Sequence, residues 1–77
     1  MTPKELVAIA TAAFGEKWKK PLAEAVGSSR EIMWHYQNER VTIPDYQVKL
    51  IRKACRREIA KKIGVLQTLL AKLDKAA

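Results

Sequence analysis

Pro21 and Gly27 stand six positions apart, and between them they fix the length of whatever helix lies there. A proline is tolerated in the first turn of a helix, but deeper in, its ring clashes with the preceding turn and its missing N–H breaks the hydrogen-bond ladder. A glycine at the far end favours the left-handed backbone that closes a helix. The segment therefore predicts a helix that starts at Lys19 or Lys20, carries Leu22, Ala23, Glu24, Ala25 and Val26, and stops at Gly27. Isolated helices shorter than about 12 residues are marginal in water, so this one must be held by neighbours.

The same punctuation divides the rest of the chain. Thr2, Pro3 and Glu5 read as an N-cap, a first-turn proline and a first-turn acid. Leu6, Ile9, Ala10, Ala13 and Phe14 recur at three- and four-residue steps until Gly15, which predicts a first helix over Pro3 to Phe14. Ser28 or Ser29 can cap a third helix in which Ile32, Met33 and Tyr36 form an apolar side, ending near Gln37 with Asn38 making the exit turn. From Asp45 to Asp74 there is no proline and one glycine, Gly64, so one long helix or two hinged at that glycine both fit. Along it, Val48, Ile51 and Cys55 form one stripe, and Ile59, Ile63, Leu66, Leu70 and Leu73 step by four and three, the spacing of a coiled-coil seam. No strand alternation or internal repeat is present. The reading is all-α: a compact helix-turn-helix domain of four or five helices, 1–57, with a long C-terminal helical segment, 58–77, as part of the same unit.

With 77 residues, a chain buries only about 60% of its unfolded surface, and small domains add disulfides, a metal or a partner copy. Cys55 is the only cysteine and His35 the only histidine, which excludes an internal disulfide and leaves too few ligands for a structural zinc. Oligomerisation remains. Fifteen Lys and Arg against eight Asp and Glu give +7, a balance that points to a polyanionic partner. The excess concentrates in Lys49, Arg52, Lys53, Arg56, Arg57, Lys61 and Lys62, opposed only by Glu58. Such a run reads as a solvated helix face, as a strip lying along a DNA backbone, or as a source of repulsion between copies. No apolar stretch approaches a membrane span or a signal-peptide core, so the expected location is cytoplasmic, on the nucleoid or in a host cell if the chain is phage-encoded.

Two short helices joined at Gly27, Ser28 and Ser29 have the elements of a helix-turn-helix. Ala23 and Gly27 lie four apart, one small enough for close helix crossing and the other free to take positive φ. The stretch Trp18 to Tyr36, with Phe14, Gly15, Glu16 and Lys17 before it and Asn38, Glu39, Arg40, Ile43 and Pro44 after it, resembles the lambda-repressor-like (Cro/C1-type) family of small phage and bacterial repressors over residues 5 to 55. Ser28 stands where that family usually has a small aliphatic residue, and Glu39 where a glycine usually follows the recognition helix, so the exit turn falls to Asn38.

The resemblance makes the third helix the recognition helix. Ser29, Arg30, Trp34, His35 and Asn38 would then read bases: Arg30 bidentate on guanine, Asn38 on adenine or a phosphate, Trp34 on a thymine methyl. Glu31 would accept from cytosine or, the reading favoured, help cap the helix. Lys17, Lys19, Lys20, Ser28 and Arg40 would grip phosphates and add affinity rather than specificity. Trp34 is instead a core or interface residue if the helical phase is off by one step, whereas Trp18 and Tyr36 read as core. Ile59, Ile63, Leu66, Leu70 and Leu73 would dimerise the chain, or alternatively pack on the first helix. The function expected is sequence-specific double-stranded DNA binding by a small homodimeric regulator, a repressor or autorepressor that occludes a palindromic operator. The alternative is a protein-interaction module, an antitoxin or adaptor on the same scaffold. No cofactor, metal, membrane or small-molecule ligand is expected, and no nucleophile–base pair or phosphate-binding glycine loop suggests an enzyme.

Overall fold

The computed structural model describes residues 1–76; Ala77, the last residue of the expected C-terminal segment, lies outside them. The chain is all-helical, with α1 (Pro3–Phe14), α2 (Lys19–Ala25), α3 (Arg30–Gln37) and α4 (Asp45–Ala76).

Local chemistry explains each boundary. Thr2 Oγ1 accepts from the Glu5 N–H and the Glu5 carboxylate accepts from the Thr2 N–H, both at 3.1 Å, a reciprocal cap that satisfies two otherwise orphaned donors. Those bonds to Thr2, backbone first, hold the Glu5 carboxyl below its ordinary range. The cap is therefore complete at neutral pH and is lost as acidification carries Glu5 through its lowered pKa. At the other end of α1, Gly15 takes φ +88° and its N–H bonds the Thr11 carbonyl. Pro21 is the third residue of α2, where its missing N–H would have been unpaired in any case.

α2 and α3 end in the same way. After α2, the Ser28 N–H bonds the Ala23 carbonyl at 2.8 Å and the Gly27 N–H bonds that of Glu24; after α3, the Arg40 N–H bonds the His35 carbonyl at 2.9 Å and the Glu39 N–H bonds that of Tyr36. Both are Schellman closures, which need a left-handed residue just past the helix. Gly27 supplies it at φ +67°, and Glu39, not Asn38, supplies it at φ +57°. The expected exit turn is corrected: Asn38 keeps φ −96°, because the hydrogen-bond pattern, not side-chain preference, selects which residue turns left-handed.

α1 and α2 each pack on both α3 and α4, while the backbones of α3 and α4 do not approach each other. Every helix sends a fully buried large side chain to the shared centre: Leu6, Leu22, Met33 and Ile51. Ala10, Ala13 and Ala23 are buried where helices approach closely, and Trp18, Tyr36 and Cys55 complete the core. Burial pushes the Cys55 thiol pKa up, so the thiol stays protonated. Ile32, expected on the apolar side of its helix, is exposed.

α4 is one helix of 32 residues, about 48 Å long at 1.5 Å per residue, and it accounts for a molecule 51 Å long and 19 Å across. It passes through Gly64 without a break, and the expected boundary at 57/58 falls inside it. Its first half contributes Ile51 and Cys55 to the core, but every residue from 60 to 75 is exposed. Ile59, expected to start the dimer seam, packs partly against the core of its own chain. Ile63, Leu66, Leu70 and Leu73 stand in the open, as do Val65 and Leu69. At 100° per residue these six span an arc of about 160° centred on the same side as Ile51 and Cys55. The core-facing side of α4 thus continues past the end of α1 with none of the described residues over it.

A Cβ placed on Gly64 would meet no atom within 4 Å. Gly64→Ala should therefore raise stability by up to about 1 kcal/mol through helix propensity, and urea unfolding followed by circular dichroism checks it; a loss would show that Gly64 needs its freedom.

Candidate nucleic-acid interface

α3 is short, and its direction is set by what it buries. Met33 and Tyr36 are almost wholly buried, and Ser29 Oγ caps the helix by accepting from the Ile32 N–H at 3.2 Å. Desolvation raises the Tyr36 pKa, as befits a phenol turned into the core. With that side fixed, Arg30, Trp34 and Asn38 fall at four-residue steps along one outward edge, all three exposed, with Ser29 and Glu31 exposed beside them. Trp34 is 44% exposed and Trp18 2%, so the outward phase read for Trp34 holds.

The Trp34 ring is framed by two neighbours. His35 lies edge-on, with centroids 5.3 Å apart and the planes at 74°. The Arg40 guanidinium carbon stands 5.9 Å from the Trp34 centroid, a cation–π distance. The left-handed Glu39 is what folds Arg40 back over α3. Arg40 and Trp34 therefore form one surface element joining a fixed positive charge to a flat apolar ring, although sequence reasoning put them in separate classes. The Asn38 amide nitrogen donates to the Trp34 carbonyl at 2.9 Å, so that amide is engaged in finishing the last turn of α3. His35 is half-buried; its Nε2 is 3.6 Å from Glu31 Oε1, and its Nδ1 is buried with no hydrogen-bond partner among the described residues.

The other expected phosphate ligands lie around the start of α2 and the turn. Lys17 and Lys20 are exposed. Lys19 is half-buried, its ammonium 5.0 Å from the Trp18 ring centroid. Ser28 is also half-buried, its N–H held by the Schellman bond to Ala23.

The basic run on α4 separates into three parts. Lys61 pairs with Glu58 at 3.3 Å. The Lys62 ammonium donates to the Ala12 carbonyl at 3.0 Å, putting a cation on the last turn of α1, where the helix dipole favours one. Lys49, Arg52, Lys53, Arg56 and Arg57 form an exposed ridge. Gln47, one turn before Ile51 on the buried side of α4, is 5% exposed, and its Oε1 has no partner among the described residues. Sequence reading passed over it, though its four-residue spacing from Ile51 placed it on that stripe.

Among the described residues no group of three or more His, Cys, Asp or Glu could hold a metal ion, and no helix is long and apolar enough to cross a membrane. Comparison with family models, curated proteins and solved structures gave no match.

A left-handed backbone costs a residue with a Cβ about 1 kcal/mol or more. Glu39→Gly should therefore stabilise the fold by about 1 kcal/mol without moving Arg40, as read by denaturant midpoint; an unchanged midpoint would show that Glu39 carries no strain.

Proposed function

We propose that the protein binds double-stranded DNA sequence-specifically as a small homodimeric regulator, with α3 in the major groove, and that it represses by occluding a promoter. The observation that carries this reading is the outward edge of α3. Arg30 and Trp34 share it, Arg40 is folded over Trp34, and the helix behind them is locked by Met33 and Tyr36. A guanidinium matches the O6 and N7 of guanine and an indole suits a thymine methyl. Lys17, Lys19, Lys20 and Ser28, on the approach to α3, would meet phosphates, which fix register without reading sequence.

The dimer reading draws on the open side of α4. Beyond Ile63 about a dozen residues of α4 are exposed all round, a length at which a helix by itself is marginal in water, and from Ile63 to Leu73 the helix carries six large apolar side chains on one side. A second copy presenting the same side would bury both. Two α3 helices would then read half-sites about one helical turn, roughly 34 Å, apart. The same exposed side is what favours the second reading, an antitoxin or adaptor holding a different protein; a monomeric state in solution would turn the balance that way.

Selection of bound sequences from a random duplex library, followed by salt titration of the winner against a scrambled control, tests the function directly. A palindromic motif bound about a thousandfold or more above the control is expected. Wholly salt-driven binding with no motif would remove sequence-specific regulation. On the selected site Arg30→Ala should cost about 1 to 3 kcal/mol and little on the control, whereas Lys19→Ala should weaken both and reduce the salt slope by about 1. Equal losses on both DNAs for Arg30→Ala would remove its readout role. Leu66→Lys combined with Leu70→Lys should give a monomer by light scattering with weakened operator binding; a double variant that stays dimeric would put the interface elsewhere.

A further inference from the structure

We propose that the ridge of Lys49, Arg52, Lys53, Arg56 and Arg57 is a second duplex-binding surface, on the opposite side of the domain from α3, so that one protomer can hold two DNA segments together. That it holds two rests on the reading of α3 given above; that the ridge binds a duplex does not.

The placement follows from the packing. α1 and α2 each come close to both α3 and α4, whereas the backbones of α3 and α4 do not approach each other, so the first two helices form a layer with α3 on one side and α4 on the other. α3 turns Met33 and Tyr36 into that layer and Arg30 and Trp34 away from it. α4 turns Ile51 and Cys55 into the layer and the five cations away from it. The two surfaces thus face opposite directions across a body 19 Å thick. Duplex DNA has a persistence length of about 150 base pairs, so a segment seated on α3 does not bend around so small a body to reach the ridge.

The chemistry selects a duplex backbone as occupant. From Lys49 to Arg57 the ridge runs about 12 Å, and a duplex presents one phosphate charge per roughly 1.7 Å of axis. The nearest cation pairing on α4, Lys61 with Glu58, and the Lys62 bond to Ala12 lie just past its end, and none of the five is in a salt bridge among the described residues. Ala60 closes the ridge at its far end, and apolar groups stand at its two flanks, Phe14, Leu50 and Ala54 beside Lys53 and Arg57, Ile59 and Ile63 beside Arg52 and Arg56. A protein-docking surface is depleted of charge at its centre and anchored by aromatic or large apolar groups, and a single-strand platform stacks successive bases on aromatic rings. α4 has one aromatic residue, Tyr46, at its beginning. A surface centred on five cations, with its apolar groups only at the flanks, fits phosphates in any sequence.

The test uses the full chain bound to a biotinylated duplex of random sequence on beads, then offered a fluorescent duplex of unrelated sequence. The ridge variant is Lys49→Gln, Lys53→Gln and Arg56→Gln together, and the α3-side variant is Lys17→Gln with Lys20→Gln; all are exposed positions, and helix content is checked by circular dichroism. Both variants should lower capture of the second duplex by about tenfold or more, while each still binds a single duplex through its remaining surface with a salt slope set by that surface. Capture unchanged in the ridge variant overturns the proposal, as does an equal loss of single-duplex affinity in both variants, which would mean that one duplex covers both surfaces. If the ridge variant alone loses single-duplex binding and the α3-side variant keeps it, the ridge stands as a duplex surface and the reading of α3 falls.

Discussion

The shared burial of Leu6, Leu22, Met33 and Ile51 in one core is the constraint on which the rest of this molecule depends. α2 has seven residues and α3 eight, lengths at which a helix in water spends much of its time unfolded. Each is helical here because one of its large side chains is removed from water in the shared core, where burying such a side chain is worth about 1.5 to 3 kcal/mol. The outward edge of α3 is only as well aimed as Met33 and Tyr36 are well packed. A cavity beneath Met33 would loosen Arg30 and Trp34 without touching either.

Backbone closure supplies the second level of control. Two Schellman turns with the same hydrogen-bond pattern bracket α3, one hinging on Gly27 and the other on Glu39. The first sets the angle between α2 and α3; the second carries Arg40 back over Trp34. A glutamate in the left-handed region is disfavoured by itself, so the two bonds and the packing of Tyr36 must outweigh that local cost. Positioning of the candidate site is thus partly a property of turns whose side chains do no binding.

What was legible in the sequence was what short-range chemistry decides. Thr2, Pro3, Glu5 and Gly15 marked both ends of α1 correctly, because a cap is satisfied within four residues. Pro21 and Gly27 bounded α2 to within one residue. The phases of Trp18, Met33, Trp34 and Tyr36 were right because a one-sided burial pattern fixes rotation about a helix axis. What failed depends on partners distant in sequence. Nothing near Lys62 announces that it meets Ala12, 50 residues earlier, and nothing in a heptad pattern says that Ile59 falls inside the reach of α1 while Ile63 falls beyond it. The left-handed residue was assigned to Asn38 on side-chain preference, whereas the length of the helix decided for Glu39.

α4 joins the buried centre to the exposed apolar side through a single unbroken helix, which makes it a shaft as well as a scaffold. Whatever grips residues 63 to 73 is coupled to α3 through helical phase, since rotation at one end is delivered at the same angle to the other. One residue inserted between Ile59 and Ile63 would turn the distal side by about 100° relative to the core, and four would turn it by only about 40°. The direction in which α3 faces relative to a partner on α4 is thereby set by residue count along a helix, a quantity that changes in discrete steps and admits no gradual adjustment.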